Sequence, residues 1–291
     1  MGVISSSMAA LSAYNSDLLA ADLTEDQKDE VIAQIMAQTK LIAGTFYRHS
    51  LSDETSSMTS GLNYMENFCD VLFEKVDPVV VKAMDVLMML HADHEQNCSA
   101  STVRMVGSSK ANAYASIASG VNALWGSWHG GANQRVIEML EKIEAEGGDY
   151  KKTLELVKER KFLLFGFGHR VYKNFDPRAK IIKKFCNEIL DKLGVQDPIL
   201  DLARNLEEAA LNDDYFAQRK LYPNVDFYSG IIYKALGLPY NMFTPMFVLG
   251  RVPGWLAQWR EHVGNPKAKI SRPRQIYTGV AEASYSSIEN R

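Results

Sequence analysis

Helical periodicity dominates this chain, and paired aspartate and proline residues indicate where individual helices begin. Three such pairs each precede an amphipathic run: Asp77-Pro78, Asp176-Pro177 and Asp197-Pro198. An N-cap aspartate accepts hydrogen bonds from the first turn, and proline suits the first helical position, where its missing N–H is not needed. The run after Pro177 ends at Gly194, as expected for a helix terminus. These patterns predict a mostly α-helical protein.

Four further patterns refine this prediction. Thr24 and Gln27 have the form of a capping box, followed by a predicted apolar face: Val31, Ile35, Ile42 and Phe46. The small side chains of residues 111–123 predict close helix packing, inside the core or between subunits. Residues 162–168 (FLLFGFG) give the main strand pattern, and extended structure is favoured there over a loop entry. The polar last dozen residues are expected to be loose.

Composition excludes several classes of protein. A chain of 291 residues can form one large domain or two small ones, and a net charge of −3 provides no basic field for nucleic acid. No apolar stretch approaches the roughly 20 residues that span a bilayer, and the first residues lack the pattern of a signal peptide. Three widely spaced cysteines argue against a disulfide framework, so a reducing, cytoplasmic location is the default expectation.

Four of the six histidines lie in motifs rich in polar residues and glycine. The motifs are HADHEQN at 91–97, WHGGAN at 128–133 and FGHRVYKNFDPR at 167–178, and an aspartate motif, PNVDFYSG, follows at 223–230. Scattered core histidines rarely cluster in this way. The motifs therefore predict a site where a small, doubly negative substrate meets an acid–base pair.

His91 and His94 are three residues apart on the helix predicted to begin at Pro78, so both can share a face. A zinc site would need a third ligand, and the order differs from HExxH, so no metal is expected. We interpret His91 as a buried structural residue and His94 as a substrate contact.

His129 precedes two glycines and a helix that opens near Ala132. The partial positive charge of a helix N-terminus disfavours imidazolium, and a neutral ring can donate to a developing enolate oxygen. A capping or core role for His129 remains the alternative. His169 lies in a glycine-punctuated turn whose GxG alone is weak evidence for phosphate binding.

Arg178 falls at a predicted helix start, where a cation is favourable if an anion binds there; a solvated surface arginine is the alternative. Asp226 has apolar and aromatic neighbours, which would raise its pKa and make it a better general base. It could equally cap the following helix. Arg251 and Arg272 are further candidate clamps for carboxylates. No GxSxG elbow supports serine-hydrolase chemistry.

The motifs HADHEQN, WHGGAN, FGHRVYKNFDPR, LYPNVDFYSG and RPRQIYTG together resemble citrate synthase, especially the bacterial hexameric type. The resemblance covers nearly the whole chain, with the motifs in the family's order. It implies an all-α, multi-helical fold and a dimer-based enzyme, a homodimer or a hexamer. Such an enzyme condenses oxaloacetate with acetyl-CoA and water to citrate and CoA. Acetyl-CoA is then a co-substrate, and no cofactor is permanently bound.

The resemblance also implies roles for individual residues. Asp226 would take the methyl proton while His129 hydrogen-bonds the thioester oxygen, and His169 would polarise the oxaloacetate carbonyl. His94, Arg178 and Arg251 would hold oxaloacetate, with Arg272 reaching in from the neighbouring subunit. The adenine end of CoA would lie against a short loop: Phe165, Gly166, Phe167, Gly168 and Arg170. The expected domains are a large helical domain (1–140), a small lid domain (141–243), and a return to the large domain with the tail (244–291).

Two departures from the family leave alternatives open. The chain begins partway through the helical body that the family's pattern leads us to expect, so we expect a truncated chain. The segment LTEDQKDEVIAQ also lacks arginines that the family uses for CoA or nucleotide phosphates. The alternative functions are 2-methylcitrate synthase, acting on propionyl-CoA, and a truncated, non-catalytic partner subunit.

Overall fold

The computed structural model describes residues 1–20, 22–52, 61–73, 76–172, 174–194 and 196–290. Within them the chain forms thirteen α-helices and short 3-10 turns, as predicted. The helices are α1 (Gly2–Leu11), α2 (Glu25–Ser50), α3 (Tyr64–Leu72), α4 (Pro78–His91), α5 (Cys98–Gly107), α6 (Ala113–Trp125), α7 (Ala132–Ala145), α8 (Tyr150–Lys158), α9 (Pro177–Leu193), α10 (Pro198–Leu211), α11 (Asp214–Arg219), α12 (Val225–Ala235) and α13 (Phe243–Val263).

The three Asp-Pro pairs begin helices, as predicted. Each aspartate side chain accepts a hydrogen bond from the backbone N–H two residues later, at the starts of α4, α9 and α10. α9 ends at Leu193, and the C-cap residue Gly194 has a left-handed φ of +57°, which suits glycine.

Helix α2 confirms the capping box but corrects its predicted face. The side chain of Thr24 accepts from Gln27 N–H, and Gln27 reciprocates. The buried row repeats every four residues: Val31, Ile35, Thr39, Ala43 and Tyr47. Phe46, predicted to be buried, is 41% exposed. The row includes Thr39, which satisfies its hydroxyl on the Ile35 carbonyl, so a polar residue lies where hydrophobicity alone gives no signal.

The small-residue segment lies inside the core of this chain. α6 packs against α1, α5 and α13. A Cβ at Gly120 would come within 2.6 Å of Val103 and 3.1 Å of Trp255, so the close approach depends on this glycine. α13 contacts α2, α4, α5 and α6 and forms the centre of the fold. No helix in the described part of the chain is long and apolar enough to cross a membrane.

The strand expected at residues 162–168 does not form. The described chain has one isolated β-bridge there, between Phe167 and Pro223. Gly166 and Gly168 have left-handed φ values of +79° and +75°, which interrupt an extended strand. Hydrogen bonds instead fasten a loop beside α12: Gly168 N–H donates to Tyr222 O, and Asn224 N–H donates to Gly166 O.

Candidate active site

The predicted site residues, except Arg272, converge where several helix ends meet around the middle of α13. The start of α5, the turn before α7, the loop before α9 and the start of α12 supply most of the side chains. Each is therefore anchored by a helix end or by a backbone-bonded loop. Among the described residues, no group of three or more metal-ligating side chains is assembled.

His129 is oriented by the first turn of α5. The backbone N–H of Ser99 donates to His129 Nε2 at 3.2 Å, and Ser99 Oγ lies 2.8 Å from the same nitrogen. Because a backbone N–H can only donate, Nε2 acts as an acceptor and the neutral ring carries its proton on Nδ1. Burial, and after it the charge of Arg251, lowers the pKa of His129 to about 4. Burial therefore favours the neutral ring, in the same direction as the predicted effect of the helix terminus.

Asp226 lies in the first turn of α12, but it does not cap that helix. Asn224 is the N-cap, and its side chain accepts from Asp226 N–H at 2.9 Å, so the capping alternative is wrong. Burial raises the pKa of Asp226 to about 6; the charges of Arg178 and Arg251 lower it by less, and that of Asp176 adds to the rise. No donor among the described residues hydrogen-bonds the carboxylate. This leaves a partly buried base with open acceptor positions.

His169 presents the opposite nitrogen to that of His129. Its Nδ1 accepts from the backbone N–H groups of Val171 and Tyr172, at 3.1 and 3.2 Å. The neutral ring therefore carries its proton on Nε2, which lies 3.4 Å from Nη2 of Arg178. Two donors that face each other favour an acceptor oxygen bound next to both. Burial, followed by the charge of Arg178, lowers the pKa of His169.

Arg178 is not a solvated surface arginine. Its Nε and Nη2 donate to the two oxygens of Asp176, at 3.0 and 2.9 Å. Burial raises the pKa of Asp176, but hydrogen bonds and charge from Arg178 outweigh this and keep it below its usual value. The pair is nearly enclosed, with side-chain exposures of 12% for the arginine and 1% for the aspartate.

Arg251 lies in the middle of α13 and is 2% exposed. Its Nε donates to the backbone carbonyl of His91, and its guanidinium carbon lies 5.1 Å from the centre of the Phe247 ring. Within the described residues no carboxylate forms an ion pair with it. Burial, followed by the charge of Arg178, lowers its pKa to about 10. A buried cation without an ionic partner favours a bound anion.

The two histidines of HADHEQN do not share a helix face, contrary to our prediction. α4 ends at His91, and His94 lies in the turn beyond it. His91 is buried, as expected for a structural residue, and Nδ1 donates to Leu87 O at 2.8 Å. The His94 ring lies 5.1 Å from the His169 ring, and its Nε2 has no hydrogen-bond partner among the described residues. The loop after α4 therefore places the His94 ring beside that of His169.

The loop expected to contact CoA packs closely on α7 and α12. A Cβ at Gly166 would come within 2.7 Å of Val136 and 3.0 Å of Phe227. The rings of Phe167 and Phe227 meet edge to face at 5.1 Å, and Arg135 lies 5.4 Å from the Phe165 ring centre. Gly168 N–H is bonded to Tyr222 O, and Arg170 is exposed. The glycines therefore allow the loop to pack closely, in addition to any role in ligand binding.

Arg272 stands apart from the site of its own chain. It lies in an exposed C-terminal segment without regular structure, and the neighbouring Ser271 N–H donates to Ser108 Oγ at 2.8 Å. Ser108 follows the last turn of α5, whereas Ser99 beside His129 is in its first turn. The length of this helix, about 1.5 Å per residue, separates the two positions.

Two residues of the site, Asp176 and Ser99, were not predicted from the sequence. Asp176 was interpreted only as an N-cap, although an arginine two residues later was a usable indication that the carboxylate has a second partner. Ser99 carried no comparable signal, because its contact with His129 involves a backbone N–H thirty positions away.

Within the described residues, a helical fold brings together a partly buried carboxylate, neutral histidines and two enclosed arginines, an arrangement typical of an enzyme that acts on a small anion. The family described as citrate synthase, C-terminal domain, matches residues 1–274, and the chain belongs to the citrate synthase family.

Curated relatives and solved structures agree with this assignment. Citrate synthase 1 of Mycobacterium tuberculosis is 51% identical over 299 residues, covering 100% of this chain and 69% of the relative. Citrate synthase of Corynebacterium glutamicum is 50% identical over 288 residues, covering 96% of this chain and 65% of that protein.

The fold matches solved citrate synthases over nearly its full length. The enzyme from Pyrobaculum aerophilum has a TM-score of 0.86 and 35% identity, covering 98% of this chain and 72% of that one. The enzyme from Thermoplasma acidophilum, solved as a ternary complex with carboxymethyl coenzyme A and oxaloacetate, has a TM-score of 0.85 and 30% identity. That match covers 98% of this chain and 74% of the other.

Proposed function

We propose that this chain condenses oxaloacetate with acetyl-CoA and water to citrate and CoA through an enolate. The proposal rests on two groups with opposite roles, a hydrogen-bond donor and a base. His129 presents an Nδ1 donor, while Asp226 presents an unbonded carboxylate whose pKa is raised to about 6. A donor for a developing oxyanion and a base for a carbon acid are the two groups that enolate formation needs.

In the first step Asp226 takes a methyl proton from acetyl-CoA as His129 donates to the thioester oxygen. A thioester α-proton is a weak acid, so a carboxylate of ordinary pKa would be a poor base. The raised pKa of Asp226 reduces the difference between its own pKa and that of the thioester α-proton. A neutral His129 gives the oxygen a hydrogen bond without delivering an early proton, and it is preorganised by the Ser99 N–H.

In the second step the enolate carbon attacks the oxaloacetate carbonyl. Nε2–H of His169 polarises that carbonyl and protonates the alkoxide; solvent returns a proton to Nε2, and Asp226 releases to solvent the methyl proton that it took. Arg178, Arg251 and His94 hold the dicarboxylate, and water then hydrolyses the thioester. The buried Arg251, which has no ionic partner among the described residues, and the unpartnered Nε2 of His94 support this assignment, because a dianion supplies both the missing charge and the missing partner.

The remaining expectations belong to the same proposal. Arg272 completes the site of a neighbouring subunit in a homodimer or a dimer-based hexamer, and its distance from its own chain's site supports this. The loop from Phe165 to Arg170 contacts the adenine end of CoA. Residues 141–243 act as a lid that closes on a body made of residues 1–140 and 244–291, excluding water from the enolate. We place the protein in the cytoplasm.

The test is thiol release from acetyl-CoA by the purified chain, with and without oxaloacetate. We expect oxaloacetate-dependent release of one thiol per citrate formed. Propionyl-CoA is the matched control, because one extra methylene changes selectivity by only about 1–3 kcal/mol and the two acyl groups must be compared directly. Oxaloacetate-independent release, or none from a folded chain, would contradict the proposal.

A further inference from the structure

Three Asp-Pro helix starts look alike in sequence but differ in the folded chain. Each aspartate caps its helix and pairs with a cation: Asp77 with Lys192 at 3.5 Å, Asp197 with Lys234 at 3.6 Å, and Asp176 with Arg178 at 2.9 Å. The exposures separate them, because the side chains of Asp77 and Asp197 are 31% and 26% exposed and that of Asp176 is 1% exposed.

Asp176 accepts four hydrogen bonds. Its Oδ1 accepts from the backbone N–H and the Nε of Arg178, both at 3.0 Å. Its Oδ2 accepts from Arg178 Nη2 at 2.9 Å and from the backbone N–H of Val225 at 3.1 Å. Capping explains one of these bonds. The other three orient a guanidinium and reach the first residue of α12, directly before Asp226.

From this geometry we propose that Asp176 is a positioning residue that aligns Arg178 for oxaloacetate and joins that arginine to the helix start carrying Asp226. The inference rests on the proposed function of Arg178 and Asp226. A two-point bond fixes the plane of a guanidinium, which a single contact leaves free to rotate. The same carboxylate holds the α12 start, so the anion site and the base share one support.

The alignment is tested by Asp176→Asn, with Asp77→Asn and Asp197→Asn as matched controls. An asparagine has one acceptor oxygen, and its NH₂ group would face donors, so it cannot replace the four bonds. We expect the KM for oxaloacetate to rise on the order of 10- to 100-fold in Asp176→Asn, with the KM for acetyl-CoA unchanged. The two controls lose a comparable carboxylate charge and its lysine partner but keep a capping oxygen, so they should change the melting temperature only slightly and alter neither KM.

The link to α12 is tested separately by Val225→Pro. Proline is favoured at the first position of a helix, and Asn224 already has the extended backbone that precedes proline, with φ −106° and ψ −177°. The substitution removes the N–H that bonds Asp176 and leaves the Arg178 pair in place. We expect kcat to fall roughly tenfold, because the base is held less accurately, while the KM for oxaloacetate stays within about twofold.

The inference is overturned if Asp176→Asn matches Asp197→Asn in both KM values and kcat, or if Val225→Pro is fully active. Should Asp176→Asn not fold, Val225→Pro alone decides: a selective loss of kcat supports the link, and full activity removes it. The wild-type chain separates this inference from the proposed function. If the wild type neither condenses nor binds oxaloacetate by calorimetry, both fail; if it does, only the variants bear on Asp176.

Discussion

Arg178 and Arg251 both lie in the candidate active site, but their charged groups have different partners in the fold. Arg178 is neutralised by a two-point bond to Asp176, whereas Arg251 is buried in α13 with a carbonyl and an aromatic ring as neighbours. A buried charge without an ionic partner costs stability, so Arg251 is not explained by folding. Arg178 therefore stabilises the fold as well as the site, whereas Arg251 depends on a bound ligand to balance its charge.

The largest effect should come from Asp226→Asn, which separates anion binding by the arginines from the chemistry of the base. Removing a general base reduces turnover by about 10²- to 10⁴-fold. Oxaloacetate binding, measured by calorimetry, should stay nearly intact because both arginines remain. Near wild-type turnover would show that another residue takes the proton, and lost binding would show that the carboxylate shapes the anion site.

Replacing each arginine by methionine should have the next largest effect. Arg178→Met leaves Asp176 buried without its partner, and breaking such a pair costs about 3–5 kcal/mol of the free energy of unfolding. Arg251→Met removes an unpaired buried charge, so its stability should equal or exceed that of the wild type. Both variants should lose oxaloacetate binding. Denaturant unfolding gives the ranking, and equal stability losses would show that Arg251 has an unrecognised partner in the fold.

Stabilisation by bound oxaloacetate should also distinguish the two arginines, with a smaller effect. Oxaloacetate at about 100 times its Kd should raise the free energy of unfolding by about 2.7 kcal/mol, since it binds the folded chain alone. The melting temperature of Arg251→Met should not respond to the same concentration. Lys110→Met, at an exposed lysine outside the site, is the control and should respond like the wild type. A response by Arg251→Met would place the dianion elsewhere.

The smallest effect concerns pH. Because the pKa of Asp226 is raised to about 6, kcat/KM should rise with pH up to about 6 and then level, as the carboxylate loses its proton. Below pH 6 the rate should fall about tenfold per pH unit. Both arginines lower the pKa of Asp226, so residual activity of Arg251→Met should show this limb at higher pH. A limb near pH 4 in the wild type would mean that Asp226 is hydrated and unperturbed.

Local chemistry explains what could be predicted from the sequence. Asp-Pro caps, the Thr24 capping box and the Gly194 terminus depend on a few neighbouring residues, and the structure confirms them. The buried face of α2 and the loop around Gly166 depend on distant packing partners, and there the predictions were wrong. The same reason applies to His91 and His94, because the end of α4 decides whether they share a face.

The same distinction between local and distant contacts applies to the candidate active site. Motifs identified the residues that would act, since their chemistry is written in their side chains. Their supports were hidden, because Asp176 reaches Val225 across 49 positions and His129 meets Ser99 across 30. Residue type does not indicate which backbone N–H will donate a hydrogen bond, so these supporting contacts can be identified only in the folded structure.

The contact between Ser99 and His129 has a consequence for tolerance to mutation. Its donor is the peptide group, so every residue type except proline would provide it if the start of α5 kept its shape. The Ser99 side chain, whose hydroxyl also accepts a hydrogen bond from the Trp255 indole N–H, can be replaced while the proton of the His129 ring stays on Nδ1. A saturation library at position 99 should therefore change packing and temperature tolerance more readily than the identity of the enolate donor.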